Sequence, residues 1–302
     1  MGAKHAVYGR PPRELAEAGE GALQVSPLIP GAAALEDLAE ASLESLIIAA
    51  PPGSLERRYV LALGLRAVAP GGSLIALAPK DKGGSRLGKE LAALGAPPEE
   101  TARRHHRICQ VRVAGGLSLE TALAEGAPRY LETLGLWTQP GVFSWDRIDA
   151  GTALLLQHLP PLAGRGADFG AGLGVLAQAV LAAGEVTGLT LADIDRRALA
   201  CAQRNVADAR ASFLWTDLRA GHPDLADLDF VVMNPPFHDG GAEDRALGQA
   251  FIEAAARALK PAGRLVMVAN RHLPYEKTLA TRFSAVHLSA QTGAYKVYEA
   301  RA

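Results

Sequence analysis

Asp168-Phe169-Gly170-Ala171-Gly172-Leu173-Gly174 ends a short apolar run and opens a helical pattern, and its reading decides the fold. Residues without side chains let a backbone turn sharply from strand to helix and lie against a ligand. The spacing D-x-G-x-G-x-G lacks the third glycine of the dinucleotide fingerprint at its proper place, and no Lys-Ser/Thr pair follows as a phosphate loop requires. Both phosphate-based readings lose ground. Working outward, apolar runs at 166–169, 186–192 and 230–233 are separated by helical patterns at 175–184 and 196–207, the second with Asp195 placed as its N-cap. A helix over 247–259 stops at Lys260-Pro261-Ala262-Gly263, a strand follows over 264–269, and 285–288 with 295–298 read as a closing pair of strands. This alternation is that of an α/β fold, a parallel sheet with helices on its faces.

Composition removes several function classes. The 302 residues carry 31 Lys+Arg against 32 Asp+Glu, a net charge of −1, so any polyanion must be held by a local patch. Cys109 and Cys201 stand apart, which excludes a disulfide framework and the paired spacing of a zinc site, and no metal is expected. No run approaches the roughly 18 to 20 apolar residues of a membrane span, and the N-terminal stretch has no signal-peptide core. A cytoplasmic protein is expected, with a monomer favoured.

Three acids follow one another in order around the glycine loop. Asp168 repels a pyrophosphate but suits the ammonium and bound waters of an amino-acid-bearing cofactor. Asp193 ends the next strand, where such acids accept both hydroxyls of a ribose. Asp217, in Trp215-Thr216-Asp217-Leu218, is placed to accept an adenine amine. Any one of them reads equally as a helix cap or turn acid. As an ordered set with Gly170 and Gly172 they form the pattern of an S-adenosylmethionine site, in which Ile194 and Leu218 flank the second and third acids.

After the run at 230–233 comes Asn234-Pro235-Pro236-Phe237. A planar exocyclic amine is a poor nucleophile because its lone pair is delocalised into the ring. Two fixed acceptors, the Asn234 side-chain oxygen and the Pro235 carbonyl, bind both amine hydrogens and aim the nitrogen at an electrophilic methyl. The prolines stiffen the loop, and Phe237 stacks on a base held outside its helix. Methylation of adenine N6, cytosine N4, guanine N2 and the glutamine side-chain amide all use this motif, so it defines the nucleophile type and leaves the substrate open.

At this point the chain resembles the RsmC-type ribosomal RNA guanine-N2 methyltransferases, which act on 16S rRNA and have a close relative acting on 23S rRNA. The resemblance rests on Pro140-Gly141-Val142-Phe143-Ser144, Asp149 with Gly151, Asn234-Pro235-Pro236-Phe237-His238-Asp239-Gly240, Val268-Ala269-Asn270, Leu273-Pro274-Tyr275, Gln291-Thr292-Gly293 and Lys296-Val297-Tyr298. It implies a Rossmann-like class I methyltransferase sheet with a second, shortened and degenerate methyltransferase-like N-terminal domain. By position, Asp168, Gly170, Gly172, Asp193 and Asp217 would hold S-adenosylmethionine, with Phe143 and Asp149 closing over it, and Asn234, Pro235 and Phe237 would hold the base. His238 and Asp239 are candidates for reading the guanine edge. Trp145 stands where the family more often has a basic residue, which leaves that contact open.

The first half repeats part of the plan. Ile47-Ile48-Ala49-Ala50-Pro51-Pro52 lies on Val231-Val232-Met233-Asn234-Pro235-Pro236, and the stretch around Pro70-Gly71-Gly72 on that around Pro261-Ala262-Gly263. Its counterpart of the catalytic motif reads Ala50-Pro51-Pro52-Gly53, without amide or aromatic, and no D-x-G-x-G loop precedes it. Residues 1–115 are therefore expected to be a silent copy with its cofactor-binding part reduced or absent, 116–140 a linker, and 141–302 the catalytic domain. Lys80, Lys82, Arg86, Lys89, Arg103, Arg104 and Arg107 on the silent copy offer contacts to rRNA phosphates; bracing of the catalytic half is the alternative role. The partner implied is 16S rRNA or the small ribosomal subunit. Competing readings are a 23S rRNA enzyme, a release-factor glutamine methyltransferase and, in another class, a non-catalytic rRNA-binding or assembly factor. The last is opposed by the intact Asn234-Pro235-Pro236-Phe237.

Overall fold

The computed structural model describes residues 4–236, 238–239, 242–243 and 245–302. The chain divides into a first unit, Met1–Pro128, and a second, Arg129–Ala302. In the first unit β1 (His5–Tyr8), β2 (Leu23–Val25), β3 (Leu43–Ala49), α1 (Ser54–Ala67), β4 (Val68–Pro79), α2 (Leu87–Ala93), β5 (Glu99–Arg103), β6 (His106–Arg112) and α3 (Glu120–Gly126) follow in order. The sheet runs β2-β1-β3-β4-β6-β5, with the first four parallel and β6 antiparallel to both of its neighbours. Leu46, Ile48 and Leu74 project from β3 and β4 into a core shared with Leu61 and Leu65 of α1.

The second unit contains β7 (Arg129–Leu131), β8 (Leu136–Thr138), α4 (Ala150–Gln157), β9 (Gly164–Phe169), α5 (Val175–Leu181), β10 (Val186–Asp193), α6 (Arg196–Asn205) and β11 (Ala211–Trp215). These are followed by β12 (Leu228–Met233), β13 (His238–Asp239), β14 (Ala242–Glu243), α7 (Arg245–Ala258), β15 (Leu259–Asn270), α8 (Glu276–Arg282), β16 (Ala285–Gln291) and β17 (Tyr295–Arg301). Its main sheet runs β11-β10-β9-β12-β15-β17-β16, parallel except at β17. Along β12, Phe230 and Val232 enter a core with residues of α4, α5 and α6, while Val231 and Met233 enter the core shared with α7 and α8. That period of two, apolar on both sides, is what a central strand covered by helices on each face requires. The chain passes from β9 to β10 and β11 on one side and resumes at β12 on the other. The crevice where ligands bind such sheets therefore opens between the C-terminal ends of β9 and β12.

The two sheets share one strand order. In it β1, β2, β3, β4, β5 and β6 match β9, β10, β12, β15, β16 and β17, and among the described residues β11, α5 and α6 have no counterpart in the first unit. Even an irregularity is repeated: Leu43 opposes Val68 and Ser45 opposes Ser73, as Leu228 opposes Leu259 and Phe230 opposes Arg264. This register corrects the sequence alignment by one residue, because pairing rather than proline identity fixes equivalence. Ala49, not Ala50, occupies the place of Asn234, and the two prolines of the first unit come one position later. The cofactor-binding part is reduced rather than absent, since the short strands β1 and β2 remain.

Residues 116–140 differ from the linker expected of them. Within them α3 packs on α1, where a Cβ on Gly126 would overlap the Tyr59 side chain, so a glycine that reads as a loop signal serves close approach instead. The stretch beyond Pro128 pairs β7 with β8 and belongs to the second unit. Asn205 clamps this hairpin to α6. Its Oδ1 accepts from the Trp137 amide at 2.7 Å and its Nδ2 donates to the carbonyls of Trp137 and Leu173 at 2.9 and 3.0 Å. The Arg204 guanidinium lies 4.4 Å over the Trp137 ring.

Candidate active site

The strand-to-helix turn after β9 is built on left-handed backbone, with φ of +73° at Gly170, +54° at Gly172 and +82° at Gly174. L side chains rarely adopt such angles. The three glycines nevertheless serve different ends. A Cβ at Gly174 would meet Val206 Cγ2 at 2.8 Å, so this glycine lets the loop close on α6. A Cβ at Gly172 would meet nothing within 4 Å, so this one faces open space. The Gly172 amide donates to Asp193 Oδ2 at 2.8 Å and the Asp195 amide to Asp193 Oδ1 at 2.8 Å, tying the acid at the end of β10 to the glycine loop.

Asp168 is fully buried, and neither of its carboxylate oxygens has a hydrogen-bond partner. Burial, and then the negative charge of Asp193, push its carboxyl up to about 8. Burial also raises Asp193, to about 6, against the Asp195 and Gly172 amides that favour its charged form. A buried carboxyl without partners costs stability until a cation or donor reaches it. That orphaned acid, two residues before Gly170, and the unfilled space over Gly172 fit a cofactor with an ammonium group.

Asn234 follows β12 directly. Its Nδ2 donates to Asp149 Oδ2 at 2.8 Å and to Thr152 Oγ1 at 2.9 Å. Asp149 is the N-cap of α4, where the same Oδ2 accepts from the Thr152 amide at 2.9 Å. A carboxylate only accepts, so the amide nitrogen must face α4. The Asn234 Oδ1 has no donor among the described residues. Asn234, Asp149, Thr152, Gly170, Gly172 and Phe143 line one cleft.

The methyltransferase small domain family model matches residues 133–299. The ribosomal RNA small subunit methyltransferase C of Shewanella loihica is 32% identical over 271 residues, covering 86% of this chain and 78% of the relative. That of Pseudomonas paraeruginosa is 34% identical over 292 residues, covering 94% of this chain and 87% of the relative. The chain belongs to the ribosomal RNA small subunit methyltransferase C family. Among solved structures, the T. thermophilus 16S rRNA N2 G1207 methyltransferase (RsmC), in complex with AdoMet and guanosine, matches with a TM-score of 0.81 at 25% identity, over 100% of this chain and 88% of that one. The methyltransferase C family thus accounts for the two-unit architecture as well as for the second unit alone.

Within this family fold the residues that the sequence marks fall into groups. Phe143, Asp149, Gly170, Gly172 and Asn234 come together at the cleft, with Asp168 and Asp193 at the adjoining strand ends. Phe143 is exposed while its neighbour Val142 is buried with Leu173 and Cys201, so Val142 anchors the loop. Asp217 caps a single 3₁₀ turn, Leu218–Ala220, and pairs with Arg219 at 2.6 Å. The Leu218 side chain is core, packed with Ala192 and Leu225, which leaves only its backbone to meet a ligand. The Ile194 carbonyl accepts from the Trp215 indole at 2.8 Å. Pro235 is buried and Pro236 half-buried. Phe237 and the side chains of His238 and Asp239 lie outside the described residues. Thr152, Arg147 and Ile148 also line the cleft, although no sequence motif marks them. For Thr152 a signal exists: three positions after Asp149, on the first turn of a helix, both side chains share a face. Among the described residues no cluster of His, Cys, Asp and Glu is suited to a metal ion, and no helix is long and apolar enough to cross a membrane.

Proposed function

We propose that this protein transfers a methyl group from S-adenosylmethionine to the exocyclic N2 amine of a guanosine in 16S rRNA of the small ribosomal subunit, in the cytoplasm. The observation that carries the reading is the Asn234 amide, whose nitrogen is committed to Asp149 and Thr152 while its oxygen has no described donor. The relatives named for small-subunit rRNA methylation, and the solved structure holding AdoMet and guanosine, support the substrate and the cofactor.

S-adenosylmethionine supplies an electrophilic methyl on a sulfonium that departs as a neutral thioether. Asp168 would hold its ammonium, Gly172 would leave room for its approach, and Asp193 would hold its ribose. Asn234 Oδ1 and the Pro235 carbonyl hold the two amine hydrogens and turn the nitrogen lone pair toward the methyl. Asn234 Oδ1 and the Pro235 carbonyl would stay against the amine nitrogen as it gains positive charge, and that charge would be lost as one amine proton passes to water. These fixed acceptors stabilise that charge without reorganising, so positioning and electrostatics carry the catalysis. Ala49 and Ala50 stand near the corresponding place in the first unit. That half is a non-catalytic copy, and its exposed Arg103 and Arg104 are assigned to rRNA phosphates.

Incubation with labelled S-adenosylmethionine and small subunits, large subunits or naked rRNA from a strain lacking the enzyme, followed by nucleoside analysis, tests this. N2-methylguanosine in 16S rRNA is the expected product. Its appearance only in 23S rRNA would redirect the assignment, and its absence from every substrate would end it.

A further inference from the structure

We propose that Asp149 and Thr152 are positioning residues that decide which end of the Asn234 amide faces the reacting amine. The inference rests on the reading of Asn234 as an amine acceptor. An asparagine side chain has two ends of nearly equal size and opposite hydrogen-bonding character. With its oxygen toward the substrate it accepts the N–H bonds of an amine. Turned over, it presents N–H groups to that amine and blocks it.

Among the described residues no backbone group of the Asn234-Pro235-Pro236 loop is hydrogen-bonded to the Asn234 side chain. The choice is made by α4. Two acceptors, Asp149 Oδ2 and Thr152 Oγ1, lie 2.8 and 2.9 Å from Nδ2. The reversed amide would set its carbonyl oxygen against a carboxylate. Asp149 is itself locked, since its Oδ2 also takes the Thr152 amide as the helix cap. A Cβ on Gly151 would stand only 3.0 Å from both Asp149 Oδ2 and the Tyr295 ring, so a side chain at 151 would press on the carboxylate and glycine leaves it undisturbed. Its negative charge lies behind the amide dipole and polarises Oδ1 in the direction that matches the positive charge developing on the methylated nitrogen.

The discriminating variants are Thr152→Val, which removes one acceptor at nearly constant shape, and Asp149→Ser, which keeps a capping oxygen but is too short to reach Asn234. Thr152→Ser serves as the conservative rescue. Single-turnover methyl transfer, cofactor affinity by calorimetry and thermal unfolding are measured for each, alone and with Asn234→Ala. Thr152→Val is expected to slow methyl transfer about tenfold and to leave cofactor affinity within about twofold, with Thr152→Ser near the parent. In the Asn234→Ala background Thr152→Val should change the rate less than about twofold, because the group it orients is gone. Rate losses that multiply across the two positions, or a loss of cofactor affinity equal to the loss of rate, would overturn the positioning role. Should Asn234→Ala leave methyl transfer unchanged, the acceptor reading itself fails and this one with it. Asp149→Ser and Thr152→Val share no effect on the cap, so a folding defect in the first leaves the second decisive.

Discussion

Arg57 and Glu90 form a buried, two-pronged ion pair, with Nε and Oε2 2.6 Å apart and Nη2 and Oε1 2.7 Å apart. The guanidinium is 1% exposed, and its Nη1 donates to the carbonyls of Pro51 and Pro52 at 3.2 and 2.7 Å. In the second unit the carbonyl of Pro235 is assigned to a substrate amine. In the first, the proline carbonyls after the matching strand are already occupied by the chain's own planar N–H donor. By the strand register these two carbonyls stand one and two positions beyond Ala50, which occupies the place of Pro235, so the guanidinium ties down the loop just past the matching acceptor.

Arg57→Ala strands Glu90 in a largely buried setting and orphans the two carbonyls. A destabilisation of about 3–5 kcal/mol is expected, read from urea unfolding. Glu90→Ala should cost a similar amount, and the double variant much less than the sum. Fully additive losses would show that the two side chains act separately.

With Asp168 assigned to the cofactor ammonium, cofactor binding is expected to depend on pH. The Asp168 carboxyl is raised to about 8 in the folded protein against an ordinary value of 3.8, so between those values the folded state holds a proton that the unfolded state has lost. Without cofactor, stability falls as pH rises through this window and is flat above it. Asp168→Asn should therefore gain stability over the parent as pH climbs from 4 toward 8, while losing cofactor affinity. An arriving ammonium favours the ionised acid, so binding should release a proton at pH 7. Calorimetry in buffers of different ionisation enthalpy measures that release, and a buffer-independent enthalpy would contradict it.

Gly172→Ala and Gly174→Ala separate ligand space from packing. The first meets no atom within 4 Å but sits at φ +54°, so a stability loss of about 1 kcal/mol is expected together with at least about tenfold weaker cofactor binding. The second drives a methyl against Val206 and should lose more stability. Equal effects on stability and affinity at both positions would remove the distinction.

For the first unit, charge reversal at Arg103 and Arg104 tests the assignment to rRNA phosphates. Both side chains are exposed, and Arg104 reaches Glu14 at 2.8 Å. The slope of log K against log salt should shrink by about 0.7 to 0.9 for each phosphate that is no longer neutralised. An unchanged slope would leave bracing as the role of this half.

The features legible in sequence are those that one residue must satisfy by itself. Gly170 and Gly172 announce themselves because left-handed backbone excludes other side chains, and Asp193 because a strand-end acid sits where loop amides converge. Features made between elements are not legible in the same way. Asp149 reads as a lid over the cofactor, yet its Oδ2 is divided between the α4 amide and Asn234, a relation spanning distant parts of the chain. Thr152 has no chemistry of its own to draw notice. Strands β1 and β2, four and three residues long, are too short for alternation to mark them. Gly126 signals a break in sequence and serves as a contact in space.

Asn205 has a mechanical consequence. One side chain at the end of α6 holds the carbonyl of Leu173, inside the glycine loop, and both backbone groups of Trp137 in the hairpin that begins the unit. It works as a rivet through three layers. The glycine loop cannot shift without drawing on the hairpin, so strain applied at either end is felt at the other.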